Sequence, residues 1–285
     1  MKPAPFEYVA ARTEDDVVAA LTDGHTEVLA GGQSLVLEMN YRSRRPARLV
    51  DINRVPGFDR LATGGDVLRV GPLVRHRAFE GDAVPGPLGV LLRRVVRHIA
   101  HPPIRARGTM LGSLAYAHPA AEWPAVLTAL GADLELAGRD GRRTISAGDF
   151  FLGPHTTARR PGELLAEARL TLLPAGTRVG FAEHRRTHAS FAQLAVLAAV
   201  TLTGGHVSAV RVGLVNAADR PVRAHHAEAA LLGRPLDDAA ITAAGQAAGA
   251  QDADPRDQPY AGLDYQRHAV AVLTRRALAQ ARDEG

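Results

Sequence analysis

Ala30-Gly31-Gly32-Gln33-Ser34 and Gly108-Thr109-Met110-Leu111-Gly112-Ser113 each follow an extended-patterned run and precede a helix-compatible one. Glycine reaches positive φ and lets the backbone come close to a ligand, so loops of this kind aim N–H groups at an anion. Between a strand and a helix they add the favourable field of a helix start. Two such loops in one chain point to a dinucleotide held at its diphosphate, with Ser34 donating its hydroxyl or capping the next helix. The plainer reading of either loop alone is a tight turn. G-x-G-x-x-G occurs nowhere, which argues against a nicotinamide dinucleotide bound in the Rossmann manner.

Outward from the first loop, Thr13 with Asp16 three residues on has the form of a capping box, and Val17, Val18 and Leu21 predict a short amphipathic helix ending near Gly24. Residues 27–30 read as a strand running into Gly31, Leu35 to Tyr41 as a helix, and residues 48–52 as a second strand. Pro56, Gly57, Gly64 and Gly65 mark a subdomain junction, after which Val67 to Val70 is again extended. Residues 88–99 predict a helix stopped by His101-Pro102-Pro103. After the second loop, Pro119 is placed in a first helical turn, and Glu122, Val126, Leu127 and Leu130 keep helical spacing to Gly131. Residues 133–136 and 144–145 flank Arg139-Asp140-Gly141, a hairpin turn. Past Pro174 the chain turns alanine-rich. Residues 194–203 and 207–215 form a hairpin across Gly204-Gly205, with Val210, Val212 and Leu214 alternating with Arg211 and Gly213. Helices follow at residues 223–232, 237–248 and 264–281, the first closed by Gly233.

Three longer segments carry a resemblance: AGGQSLVLEMNYRSRRPARLVDINRVPG, RGTMLGSLAYAHPAAEWPAVLTALGADLEL and DFFLGPHTTARRPGELLAEARL, in this order and spacing. They resemble the FAD-binding medium subunit of molybdenum hydroxylases, the family of the flavin subunits of bacterial xanthine dehydrogenase and carbon monoxide dehydrogenase. VRVGLVNAADRPVRAHHAEAALLG and YQRHAVAVLTRRALAQA extend the likeness to that subunit's C-terminal domain. The resemblance implies an α+β protein. A PCMH-type FAD-binding fold of two α+β subdomains is expected over residues 1–175, at about 1–56 and 57–175. A C-terminal α+β domain of antiparallel sheet plus helices is expected over 176–285. It implies FAD as cofactor, with Ala30, Gly31, Gly32, Gln33, Ser34 and Leu35 of the first loop and Thr109, Met110, Gly112, Ser113, Tyr116 and His118 of the second around it.

The second loop departs from the family's pattern, T-[IL]-G-G-[NS] followed by A-x-A-D-P. Leu111 replaces the first glycine and His118 the aspartate. A side chain at Leu111 is expected to block close backbone approach or forbid a positive φ. His118 exchanges an acceptor-only carboxylate for a group that donates, accepts or titrates near neutrality. It either retunes the flavin or occupies a place where aspartate merely capped the helix beginning at Pro119. Tyr116 stacks near the ring or is an ordinary half-buried tyrosine. Asp51, Asn53 and Gly57 also match the family, although a strand end and turn explain them without a ligand.

Composition excludes other chemistries. Lys2 is the only lysine, which removes a P-loop and a pyridoxal Schiff base. No cysteine is present, so a conventional iron–sulfur cluster, disulfide or cysteine nucleophile is excluded and any such redox centre belongs to a partner. His184 and His188, His98 and His101, and the neighbours His225 and His226 lack the companions of a specific zinc motif, and scattered surface histidine is the commoner case. Neither Ser34 nor Ser113 lies in G-x-S-x-G. Arg185 and Arg186 read as a solvated face or as positive charge near a reduced flavin. A formal charge of +4 spread along 285 residues gives no nucleic-acid stripe. The start lacks a signal-peptide apolar run, and the longest apolar stretch is far short of the ~20 residues a membrane helix needs, so a cytoplasmic protein is expected.

By resemblance, electrons from an organic substrate at a molybdopterin-binding large subunit pass through a [2Fe-2S] small subunit to FAD here, and then to NAD or another small-molecule acceptor. A flavin enzyme working alone in a specialised biosynthetic pathway is the alternative. A flavin-free scaffold is the third reading.

Overall fold

The protein is described from a computed structural model that covers residues 1–258 and 261–283. The first subdomain is built from β1 (Glu7–Ala10), α1 (Glu14–Leu21), β2 (Thr26–Leu29), α2 (Leu35–Tyr41) and β3 (Arg48–Asp51). Its three strands are parallel in the order β1-β3-β2. The capping box on α1 is complete: Thr13 Oγ1 accepts from the Asp16 N–H at 3.1 Å, and Asp16 accepts from the Thr13 N–H at 2.9 Å. Val17, Leu21, Val50, Ile52 and Phe58 fill the core beneath this sheet. The β2-to-α2 passage therefore stands on a packed base, and Gly32, at φ +73°, makes the turn.

The second subdomain comprises β4 (Leu61–Gly64), β5 (Val67–Val70), α3 (Gly86–Val96), α4 (Pro102–Arg105), α5 (Met110–Tyr116), α6 (Glu122–Leu130), β6 (Asp133–Gly138), β7 (Gly141–Ser146), α7 (Ala147–Phe150), β8 (Phe151–Gly153), β9 (Thr156–Thr157) and β10 (Leu164–Thr171). Five strands form an antiparallel sheet in the order β4-β5-β10-β6-β7. The Pro102-Pro103 pair does not only stop a helix. It occupies the first turn of α4, where proline's missing N–H costs nothing. Pro119, by contrast, lies outside the helix in which it was expected. The Ala121 N–H bonds the His118 carbonyl at 3.0 Å and the Ala120 N–H bonds His118 Nδ1 at 3.1 Å, so the chain turns first and α6 starts at Glu122.

The last part contains β11 (Thr177–His184), β12 (Leu194–Thr203), β13 (His206–Val215), β14 (Val222–Arg223), α8 (His225–Leu231), α9 (Asp238–Ala247) and α10 (Leu263–Asp283). Its antiparallel sheet runs β11-β12-β13-β14, and the β12–β13 hairpin turns on Gly204 and Gly205, both at positive φ. Val196, Val200, Val210, Val212 and Leu214 pack under α8, α9 and α10. The opposite face of the sheet is covered as well at Gly213 and Val215. Phe181, Leu197, Ala199 and Val215 join one core with Leu127, Leu134 and Leu92 of the second subdomain. Gly213 shows how close the layers come, since a Cβ there would stand 2.7 Å from the Ala129 Cβ on α6. Among the described residues no helix is long and apolar enough to cross a membrane.

Candidate functional site

One cleft of about 390 Å³ gathers most of the residues singled out from the sequence. Ala30, Gly31, Gly32, Gln33, Ser34 and Leu35 line it from the first loop. Thr109, Gly112, Ser113 and Tyr116 line it from the second. Two of the expected residues lie elsewhere. Met110 is fully buried in the core and its N–H bonds the Val74 carbonyl at 3.2 Å, so neither side chain nor N–H is available to a ligand. His118 borders an adjoining pocket with His155, Phe191 and Arg256.

The two loops meet through main chain. A Cβ on Gly31 would lie 2.3 Å from the Arg107 carbonyl oxygen and 2.7 Å from the Gly108 Cα. Glycine at 31 is thus required by closeness, and at 32 by its positive φ. Asp51 and Asn53 do more than end a strand. Asn53 Nδ2 donates to the Ala30 carbonyl at 2.9 Å and to Asp51 at 2.6 Å. Arg75 donates to Asn53 Oδ1 and to the Arg107 carbonyl, both at 2.5 Å, and so braces one loop on the other. Ser34 occupies the N-cap of α2 without a capping hydrogen bond from its side chain. Among the described residues nothing accepts from the N–H groups of Gly32, Gln33 and Ser34. That is the donor set an anionic diphosphate needs.

In the second loop Thr109 caps α5, its Oγ1 accepting from the Gly112 N–H at 3.0 Å. A Cβ on Gly112 would crowd that oxygen at 2.7 Å. Leu111 falls in the first turn of α5, without a positive φ, and only 3% of it is exposed because its side chain joins the core. The expected demand for a positive φ is therefore absent, since helical backbone suits any residue; the side chain packs mostly into the core and still borders the cleft.

His118 stacks on Phe191, ring centroids 4.0 Å apart and planes 7° from parallel, while its Nδ1 accepts from Ala120. Burial, helped by His155 and Arg256, lowers its pKa to about 4, so it is neutral at neutral pH. It does cap the chain, although it caps a turn rather than a helix. Tyr116 donates to Glu38 at 3.1 Å, and burial with that carboxylate pushes its pKa up to about 12.

Residues with no motif around them also face the cleft: His76, Glu122 and Phe191. Glu122 is fully buried, and burial together with Glu183 pushes its pKa up to about 8, so it holds a proton at neutrality. The Glu183 carboxylate is itself buried and unbonded, with His98 at 3.5 Å and Arg185 at 3.6 Å. The histidine pairs noted in the sequence go to separate partners: His101 to His188, His184 to Tyr265 and His226 to Asp252. No signal at their own positions marks His76, Glu122 or Phe191, since each enters the cleft only through tertiary packing.

Residues 4–170 match the family described as the FAD binding domain in molybdopterin dehydrogenase, and residues 180–281 the CO dehydrogenase flavoprotein C-terminal domain. This chain belongs to the FAD-binding medium subunits of the molybdenum hydroxylase family. It is 34% identical to the 6-hydroxypseudooxynicotine dehydrogenase complex subunit alpha of Paenarthrobacter nicotinovorans, over 99% of this chain and 96% of the relative. It is 33% identical to the nicotine 6-hydroxylase medium subunit of the same organism, over 99% of each. Among solved structures it superposes on a chain of reconstituted CO dehydrogenase from Oligotropha carboxidovorans with a TM-score of 0.95, 31% identity and complete coverage of both chains. As a medium subunit it is part of an oxidoreductase, with the mixed α+β architecture that the family implies.

Proposed function

We propose that this chain carries FAD in the cleft between its two loops and acts as the flavin link of a multi-subunit dehydrogenase. In this reading, electrons reach it from a molybdopterin-binding large subunit through a [2Fe-2S] small subunit, and leave to NAD or another small-molecule acceptor. One observation carries the reading: a first loop with three unpaired N–H donors touches the second through Gly31 and Gly108 along one cleft, in a chain matching the family end to end. FAD supplies exchange of electrons singly or in pairs, which joins one-electron clusters to a two-electron acceptor.

The residues have distinct tasks around it. The N–H groups of Gly32, Gln33 and Ser34 and the hydroxyls of Ser34 and Ser113 hold the diphosphate. Leu35, Leu111 and Tyr116 narrow the cleft and keep water out. Glu122 offers a neutral carboxylic acid at its wall. Residues 1–175 form the cofactor domain in this scheme and residues 176–285 the second domain, whose Ala189, Ser190 and Phe191 also border the cleft. With no cysteine, the chain has no thiolate ligands for iron–sulfur clusters and depends on its partner for them. A cytoplasmic site of action fits that assembly.

Titrating the purified chain with FAD tests the reading. Saturable quenching of flavin fluorescence at one FAD per chain is the expected result, and no uptake at micromolar FAD overturns it. Isolation from the native host separates a subunit from a lone enzyme. Molybdopterin and [2Fe-2S] absorbance in the same complex is expected, and a yellow monomer favours the lone enzyme.

A further inference from the structure

His76 opens a short 3-10 turn, His76–Phe79, between β5 and α3, and only 6% of it is exposed. The Trp123 indole N–H, at the start of α6, donates to His76 Nδ1 at 3.0 Å. An indole nitrogen only donates, so Nδ1 is the acceptor, and a neutral imidazole must then carry its proton on Nε2. The ring is neutral, because burial with the nearby Arg105 and Arg75 cations drives its pKa down to about 4. Among the described residues nothing accepts from Nε2, and the ring forms part of the cleft wall.

Gly108 explains why that edge is open. Its φ is not positive, so its backbone conformation does not demand glycine. A Cβ there would stand 2.7 Å from His76 Nε2 and 2.8 Å from its Cδ2. The missing side chain leaves the imidazole edge uncovered, while the His76 N–H bonds the Gly108 carbonyl at 2.9 Å and holds the two together. Gly108 is also the residue against which Gly31 lies, so His76 stands where the two loops converge.

We propose that His76 is a further cofactor-binding residue, whose Nε2–H, aimed and locked in one tautomer by Trp123, donates to a diphosphate oxygen of the dinucleotide in this cleft. The proposal rests on the FAD reading above. A partly buried donor without a partner is costly until an acceptor arrives, and a fixed ring loses little freedom when it does. Trp123 is thus a positioning residue that acts through His76.

The test uses the full-length chain freed of cofactor, titrated separately with FAD, ADP and riboflavin. Imidazole nitrogen NMR is recorded in parallel. The wild type is expected to show His76 as the Nε2–H tautomer before any ligand, with that signal shifting on FAD and on ADP. His76→Leu is expected to weaken FAD and ADP by about tenfold, as for a lost hydrogen bond to a charged group, and to leave riboflavin unchanged. His76→Gln is expected to recover part of the loss. An Nδ1–H tautomer in the wild type overturns the proposal, and so does a folded His76→Leu chain with unchanged ADP affinity. The NMR arm needs no variant, so it decides the matter even if His76→Leu fails to fold. A wild-type chain that binds neither FAD nor ADP refutes the FAD reading itself.

Discussion

A Cβ atom on Gly31 would lie 2.3 Å from the carbonyl oxygen of Arg107. Main chain meets main chain there, and the Asn53–Arg75 brace holds the far side in place. Gly31→Ala therefore has nowhere to put its methyl group without parting the loops. A loss of roughly 1–3 kcal/mol in stability is expected from overpacking, with FAD affinity reduced at least about tenfold. Urea unfolding and a flavin titration read both, and a variant indistinguishable from wild type in each contradicts the geometry.

Asn53 touches both Ala30 and Arg75 yet does not line the cleft. Asn53→Ala should thus weaken FAD binding from a distance, by letting the loops move apart, while costing about 1–3 kcal/mol of stability through the orphaned carbonyl and guanidinium. Comparison with Asn53→Asp, which keeps the acceptor for Arg75 but loses the donor to Ala30, divides the two halves of the brace. Equal affinity in all three proteins argues against it.

Leu111→Gly restores the residue expected at that place in the family's pattern. The structure predicts harm rather than rescue. The substitution empties a core site and puts glycine in a helical turn, for a loss of about 3–5 kcal/mol, with no gain in bound FAD. Higher flavin content per chain in this variant would show that Leu111 does obstruct the cofactor.

Glu122 gives a pH dependence with a definite sign. Its pKa is raised to about 8 in the folded chain, against 4.5 ordinarily. Between those values the folded state keeps a proton that the unfolded state has released, so stability falls as pH rises through that window. Glu122→Gln removes this dependence. The melting temperature of the variant relative to wild type should climb from pH 5 to pH 8, and a difference that stays flat places the carboxylate in a less buried setting.

Local chemistry was readable from residue order. The Thr13–Asp16 capping box, the helix Leu35–Tyr41 between glycine turn and strand, and the Gly204-Gly205 hairpin are all found where their side chains predict them. The cleft followed from the loops because glycine's freedom is a property of the residue itself. What escaped depends on distant partners. Pro119 stayed out of α6 because His118 satisfied the intervening N–H groups, and Leu111 turned inward because a core lay beneath it. The pairing of β10 with β5 and β6 joins segments far apart in the chain, which no short-range period encodes. His76 and Glu122 are ordinary residues in sequence and acquire their protonation states only when buried.

The sheet from β11 to β14, greasy on both sides, also binds the fate of one half of the molecule to the other. A truncated protein ending near residue 175 would bare a broad apolar wall where Phe181, Leu197 and Val215 had been, and clumping rather than a tidy cofactor fragment is its natural outcome. The part from β11 onward is therefore no detachable appendage but the lid of the central interior.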